Sequence, residues 1–343
     1  MGVRIVDIIP DEAVEKINIS ALSGRAIALD AYNILYQFLS TIRGVDGRPL
    51  MDRRGRITSH LSGLFFRTIN LLSEGVKPVF VFDGRPPELK YETLEKRSLV
   101  RTDARRQYAE AIRLGDLEKA RRMAQRAASL EQYMVDSSVE LLKRMRVPYV
   151  MAPSEGEAQA AYMALKGDVY ASGSQDMDSL LFGSPRLVRN LSIVGRRKLP
   201  GKKVYVEVQP EIIYLDRVLA GLGISREQLI DIGLLVGTDY SPSIEGVGPK
   251  TALKLVQEHG SIENAAEKGV IQIVFDYKSV RELFKNPKVT DSYRLEWGEV
   301  DTEAVVAMLC GEYDFSEERV VKALDILRGR KSRAGGTLDA FLS

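Results

Sequence analysis

Two hydrophobic periods alternate through the first two thirds of the chain. Short continuous apolar runs, Ala26-Ile-Ala-Leu-Asp30 and Pro78-Val-Phe-Val-Phe82, read as buried strands, and each reaches an acid, Asp30 or Asp83. Between them, residues 58–72 place Leu61, Leu64, Phe65, Ile69 and Leu72 at helical spacing. Residues 139–145 read as helix and Val147-Pro-Tyr-Val150 as a further strand. Ser154-Glu155-Gly156-Glu157 then opens an alanine-rich helix. Asp168-Val-Tyr-Ala171 reads as another strand, followed by Ser174-Gln-Asp-Met-Asp178. Strands alternating with helices predict an α/β fold with a mostly parallel central sheet flanked by helices. In such sheets the loops at the carboxyl ends of the strands build the site. Every one of these acids falls at that edge.

The pattern changes after Asp83. Pro86-Pro87 breaks the structure, and residues 90–126 carry no strong apolar run. They hold Lys90, Lys96, Arg97, Arg101, Arg105, Arg106, Arg113, Lys119, Arg121, Arg122 and Arg126 against Glu92, Glu95, Asp103, Glu110, Asp116 and Glu118. This predicts a poorly buried helical hairpin broken near Gly115. The hairpin is either a solvated surface or a basic insertion that grips a phosphate backbone. Its place directly after Asp83 favours the second. Glycine and proline return between Gly237 and Pro249, and mainly helical sequence follows. Residues 328–336 read as a flexible basic linker, leading to the short apolar end Thr337-Leu-Asp-Ala-Phe-Leu342. No internal repeat is present.

Composition narrows the class. A length of 343 residues allows one large domain or two average ones. Cys310 is alone, which excludes an internal disulfide and fits a reducing, intracellular compartment. His60 and His259 are the only histidines, which argues against histidine-rich zinc sites. No apolar run reaches membrane-spanning length, and no signal-peptide pattern appears. The formal charge of +2 decides nothing, because a near-neutral sum can hide segregated charge.

The acids therefore carry the chemistry. Asp30, Asp83, Glu155, Glu157, Asp176, Asp178 and Asp239 offer only oxygen donors, the ligands of hard cations such as Mg²⁺. Each has a plain local reading. Asp30 could cap a helix, Glu157 could close a capping box with Ser154, and Asp176 and Asp178 could shape a turn. None of these explains seven acids at one edge, which would repel one another without counter-charge. Two divalent ions about 3.5–4 Å apart would relieve the repulsion and serve phosphate hydrolysis by water, with no side-chain nucleophile needed.

Ile244-Glu-Gly-Val-Gly-Pro-Lys-Thr251 superficially matches a phosphate-binding P-loop, but the required spacing is absent. A Gly-x-Gly turn between two helices fits better. There Gly246 and Gly248 would let backbone amides approach a DNA phosphate, with Lys250 and Lys254 adding charge. A tight helix–helix turn without a ligand is the plainer alternative.

Taken together, several strings resemble the flap endonucleases of the archaeal and eukaryotic type, within the structure-specific 5′ nuclease superfamily. They are Leu29-Asp30-Ala31, Val79-Phe-Val-Phe-Asp83-Gly-Arg-Pro-Pro87, Ala152-Pro-Ser-Glu155-Gly-Glu157-Ala158-Gln159-Ala160, Ser172-Gly-Ser-Gln-Asp176-Met-Asp178 and Gly237-Thr-Asp239-Tyr240. The resemblance spans essentially the whole chain. It implies a nuclease core over residues 1–327, made of an N-terminal region (1–102), an arch (85–135), an internal region (136–260) and a C-terminal helical part (261–327). The internal region would carry a helix-hairpin-helix at about 230–260, and residues 328–343 would form a flexible tail.

The resemblance further implies that the seven acids hold two Mg²⁺ ions, directly or through water, with Mn²⁺ able to substitute. Lys90 and Arg97 would contact the scissile phosphate, Tyr36 would stack a base near the cut, and the amino group of Gly2 would lie near the site. The helix-hairpin-helix would hold duplex DNA with K⁺ near Ser243 and Val247. The implied substrate is branched DNA with a 5′ flap, cut by a monomer in replication and repair. Leu338, Phe341 and Leu342 resemble a sliding-clamp-binding motif, in which Gly335 stands at the glutamine position and Leu342 at the second aromatic.

Overall fold

The computed structural model describes residues 2–44, 48–191, 195–198 and 205–339. Nine strands are present among them: β1 (Val14–Lys16), β2 (Ala26–Asp30), β3 (Lys77–Phe82), β4 (Tyr149–Met151), β5 (Ala171–Gly173), β6 (Arg186–Arg189), β7 (Gly195–Lys198), β8 (Tyr205–Val208) and β9 (Glu211–Tyr214). Seven form one sheet in the order β1-β9-β6-β5-β2-β3-β4. The five from β6 to β4 run parallel, and β9 and β1 add antiparallel at one edge. The mostly parallel sheet expected from the alternating periods is borne out.

Strand residues sort by parity onto two faces. Ile27, Leu29, Phe80 and Phe82 join the core under helices α1 (Ala31–Thr41), α2 (Ser59–Ser73) and α5 (Gln132–Arg144). Ala28, Val79 and Val81 face the opposite side, against Ala160 and Met163 of α6 (Gly156–Lys166). The small residues of α6 let that helix lie close on the sheet. Its outer side is held by an extended segment, 286–301. Gln159, fully buried, donates to the Thr290 carbonyl at 2.9 Å and accepts from the Thr290 amide at 2.8 Å. Trp297 Nε1 donates to the Pro78 carbonyl at 2.9 Å.

Between β3 and α5, the basic stretch forms two helices, α3 (Tyr91–Arg113) and α4 (Leu117–Arg126), joined at Gly115 with φ +71°. Few of their residues are buried, as the charge pattern predicts. After β5 come α7 (Asp178–Leu181), then α8 (Leu215–Leu222), α9 (Arg226–Val236), α10 (Pro249–His259), α11 (Ile262–Glu267) and α12 (Tyr277–Lys285). Helices α9 and α10 pack together, and Arg281 of α12 bonds both Asp231 of α9 and Glu263 of α11. The segment 286–301 then leads to α13 (Thr302–Val306) and α14 (Glu317–Asp339).

Two expectations need correction. The strand read at residues 168–171 begins only at Ala171. Gly167, at φ +85°, ends α6 with a left-handed residue, and residues 168–170 bend, the Tyr170 amide alone already donating to the Ala26 carbonyl at 2.8 Å. The flexible linker read at 328–336 is helical instead, because α14 continues to Asp339. Its Arg, Lys and Ala are strong helix formers, and each glycine costs only about 1 kcal/mol. Leu338 lies within α14, while Phe341 and Leu342 fall outside the described residues.

Candidate active site

The carboxyl ends of β2, β3, β4 and β5 open into one cleft of about 700 Å³ beneath α3. Asp30, Asp83, Glu155, Glu157, Asp176 and Asp239 line it, together with Tyr36, Lys90 and Arg97. Local contacts place several of the acids. Asp30 caps α1 by accepting from the Asn33 amide at 3.0 Å. Asp83 accepts from the Gly156 amide at 2.7 Å, at the first turn of α6. Gly84 donates its N–H to the Ser154 carbonyl at 2.6 Å, joining the loop of Asp83 to the turn that carries Glu155. Asp239 precedes Tyr240, whose ring is edge-on to Phe284 at 5.4 Å, which fixes the start of the glycine-rich turn.

The capping box read for Glu157 is not formed: Glu155 holds the cap position, and no side chain caps α6. Glu157 instead reaches across to accept from Ser174 Oγ at 2.7 Å. Asp178 stands behind the others. It is 2% exposed and accepts from the Val3 amide at 2.6 Å. The N-terminal segment therefore packs against the site, and a Cβ added at Gly2 would sit 2.7 Å from Asp176 Cβ.

Sequence reasoning missed three supports: Asn33, whose Nδ2 donates to Asp176 Oδ2 at 3.0 Å, Ser174, and the Val3 amide. Asn33 stands three residues after Asp30, the spacing of a cap partner, and that was the one available signal. The others depend on long-range contact.

The electrostatics follow from crowding acids in a buried cleft. Burial, Asp83 and Asp176 raise Asp30 well above the carboxylate range, against the Asn33 hydrogen bond. Burial and Glu155 push Asp83 up to about 6. Burial pushes Asp178 up to about 7, against the pull of the Val3 hydrogen bond. Burial, Asp178 and Asp30 raise Glu157 well above its ordinary value. Two cations answer this charge. Lys90 Nζ bonds Glu155 and lies 3.8 Å from Asp239, while Arg97 Nη2 bonds Asp239 Oδ1 at 2.5 Å. Burial opposes the Lys90 charge, but Glu155, Asp83 and Asp239 together raise its pKa above the ordinary value.

These residues fit hard divalent cations. They offer carboxylate oxygens with no histidine or cysteine beside them, in a buried cleft where mutual repulsion favours a positive guest. Among the described residues no three His, Cys, Asp or Glu side chains stand grouped closely enough to hold one ion. The acids ring the cleft, an arrangement suited to ions that keep several waters.

The glycine-rich turn joins α9 to α10 as a helix-hairpin-helix. Gly246 takes φ +75°, a left-handed conformation that favours glycine, and a Cβ at Gly248 would meet nothing within 4 Å. Lys250 and Lys254 are exposed on α10. The first turn of α10 presents unbonded amides outward, as helix starts do.

Comparison with known proteins agrees with this geometry. The XPG N-terminal domain matches residues 1–104 and the XPG I-region residues 146–239. A solved flap endonuclease-1 from Methanococcus jannaschii superposes with a TM-score of 0.74 at 42% identity, covering 97% of this chain and all of that one. The catalytic core of Rad2 in complex with DNA superposes at 0.71 with 24% identity, a likeness of fold. The architecture is thus that of the structure-specific 5′ nucleases.

Two curated relatives, each named flap endonuclease 1, narrow this further. That of Ignicoccus hospitalis is 53% identical over 99% of both chains. That of Hyperthermus butylicus is 54% identical over 96% of this chain and 94% of its own. The chain belongs to the flap endonuclease family, nucleases that act on DNA.

Proposed function

We propose that the chain is a structure-specific 5′ flap endonuclease with a weaker 5′-to-3′ exonuclease action from the same site, serving Okazaki-fragment maturation and repair. One observation carries this reading: acids from five separate loops meet in one cleft roofed by a basic helical arch. Asp30, Asp83, Glu155, Glu157, Asp176 and Asp239 would hold two Mg²⁺ ions, or Mn²⁺ in their place, with Asp178 acting from behind through water. When bound, such ions supply the charge that activates water and stabilises the leaving oxygen of an in-line displacement.

The rest falls to the protein. Lys90 and Arg97 now bond Glu155 and Asp239. On DNA entry they would exchange those acids for oxygens of the scissile phosphate, where positioned donors stabilise developing negative charge. Tyr36, on the cleft wall, would stack the base next to the cut and hold the phosphate in line. Amides at Gly246 and Gly248, with Lys250 and Lys254, would grip the duplex independently of sequence, with K⁺ near Ser243 and Val247. Leu338, Phe341 and Leu342 would dock a sliding clamp, a reading that rests on sequence resemblance alone. The product is a 5′-phosphate beside a ligatable nick, made by a monomer. Among the described residues no helix is long and apolar enough to cross a membrane.

The test is cleavage of an end-labelled 5′-flap duplex against matched bubble and four-way-junction substrates, with and without Mg²⁺. Flap cleavage that requires Mg²⁺ is expected. Preference for bubbles or junctions would reassign the chain within its superfamily, and no cleavage of any substrate would reduce it to a DNA-binding protein.

A further inference from the structure

The amino edge of the sheet, opposite the acid cleft, carries a row of cations set on aromatic rings. In strand order, Arg217 lies over the Tyr214 ring at 4.1 Å, Arg186 and Arg25 both lie over the Tyr170 ring at 4.6 and 4.8 Å, and Lys77 lies over the Trp297 ring at 5.6 Å. The register produces this order: Tyr214 pairs with Arg186, and Ala26, next to Arg25, pairs with Lys77. Four strand steps separate β9 from β3, so the row spans about 19 Å. Its middle opens as a cavity of about 600 Å³ lined by Arg25, Tyr170, Arg186 and Tyr214.

The charge of this row is not spent within the protein. The acids beside it are engaged elsewhere: Asp168 accepts from Tyr293 Oη at 2.6 Å and lies 3.3 Å from Lys166 Nζ, and Glu15 accepts from Tyr214 Oη at 2.7 Å. Among the described residues no carboxylate bridges Arg25, Arg186 or Arg217, and Arg25 and Arg217 are exposed. A ring beneath a guanidinium holds it in place while its N–H edge stays free for an anion, bidentate in the case of phosphate. Each ring already carries a cation, so the row offers charge and not a stacking face for a base. That chemistry suits the phosphodiester backbone of a duplex, bound without regard to sequence. The duplex in the cleft does not supply it. Arg25 and Asp30 stand at opposite ends of β2, about 17 Å apart, and an arm with a persistence length of about 150 bp does not fold back around the sheet.

We propose that the row binds the backbone of a second DNA duplex, so that a protein seated on a junction keeps hold of a neighbouring segment. The proposal rests on the flap reading above only in taking the cleft as the site of the first DNA.

The test loads the protein with a saturating unlabelled flap duplex in EDTA and titrates a short, fluorescent, unbranched duplex, read by anisotropy. A second binding event is expected. Three guanidinium–phosphate contacts should make its affinity fall about 40-fold between about 50 and 200 mM salt. Arg25→Glu with Arg217→Glu should remove the event and leave single-turnover flap cleavage at the parental rate. Arg25→Lys, which keeps the charge, should retain it within a few-fold. The proposal is overturned if the loaded protein binds no second duplex, or if the double variant binds it as the parent does. It is also overturned if polyglutamate binds the loaded protein more tightly than the duplex, which would make the row a docking surface for an acidic protein. Failure of the parental protein to bind the flap duplex in the first step would instead overturn the flap reading, and the same titration without flap, in parent and double variant, then decides the row.

Discussion

Gly84→Ala tests how tightly the carboxylates must be held. A Cβ at Gly84 would lie 2.1 Å from the Ala152 carbonyl oxygen and 2.8 Å from the Pro153 carbonyl carbon, both backbone atoms that no rotamer can move aside. Contacts under 3.0 Å are essentially never made by a real Cβ, so the turn at 152–154 must retreat by about 1 Å. The same movement breaks the Gly84 N–H bond to Ser154 and carries Glu155 away from Asp83 and Lys90. A misplacement of about 1 Å in a catalytic constellation costs roughly 10²-fold in rate, or about 2.7 kcal/mol of transition-state stabilisation. The lost hydrogen bond also costs about 1 kcal/mol of folding stability. Single-turnover cleavage of a 5′-flap duplex at saturating enzyme should show the rate loss, and the Mg²⁺ concentration for half-maximal rate should rise. Affinity for flap DNA in EDTA should stay unchanged, because the arch and the hairpin are untouched. A well-folded variant that cuts within about threefold of the parental rate would refute the reasoning, since a 1 Å shift of one ligand would then be harmless.

The other predictions follow the same division of labour. Asp83→Asn and Asp176→Asn should nearly abolish cleavage and leave DNA affinity within a few-fold, by gel-shift titration; wild-type rates at saturating Mg²⁺ would remove either residue from the site. Lys90→Ala and Arg97→Ala should each lower the single-turnover rate by about 10²–10³-fold, the contribution of one positioned donor, and weaker binding with unchanged rate would make the arch a purely structural clamp. Gly248→Val should weaken duplex binding without unfolding, because its side chain would point into the open space before α10; unchanged affinity would favour a plain helix–helix turn. Buried His60 titrates near 3 rather than 6.5, so the unfolded chain takes up the proton first: the stability it contributes is intact above pH 6.5 and falls as pH drops toward 3. Denaturant melts at pH 7.5 and 5.0 should show the parental protein losing about 2 kcal/mol more than His60→Gln over that interval, and parallel pH slopes would exclude the assignment.

Legibility tracked sequence range. The strands ending at Asp30 and Asp83 were readable because each is a continuous apolar run, which a parallel strand covered on both faces demands. The arch was readable from its charge and from Gly115, and the hairpin from its glycines. Less was visible where pairing is short or distant. Strands β1, β4 and β5 have three residues each, so β1 went unread and the bounds read for the other two, 147–150 and 168–171, start two and three residues early. The antiparallel addition of β9 and β1 joins residues 14–16 to 211–213, which no local pattern announces. The extended segment 286–301 carries its meaning in partners such as Gln159 and Pro78, not in periodicity. Glu157 shows the limit most directly. Its spacing from Ser154 suits a local cap, yet its bond goes to Ser174 on the next loop, because the site gathers acids across the sheet.

The carboxylates that share one cleft enter the polypeptide one by one, from Asp30 to Asp239, and no contiguous stretch of chain holds the complete set. A ribosome-bound polypeptide halted before Asp239 lacks the carboxylate that Arg97 Nη2 bonds. The cutting centre therefore exists only as a property of the finished tertiary structure. Nascent or truncated copies that stop before Asp239 therefore lack the complete set of carboxylates that the folded cleft brings together.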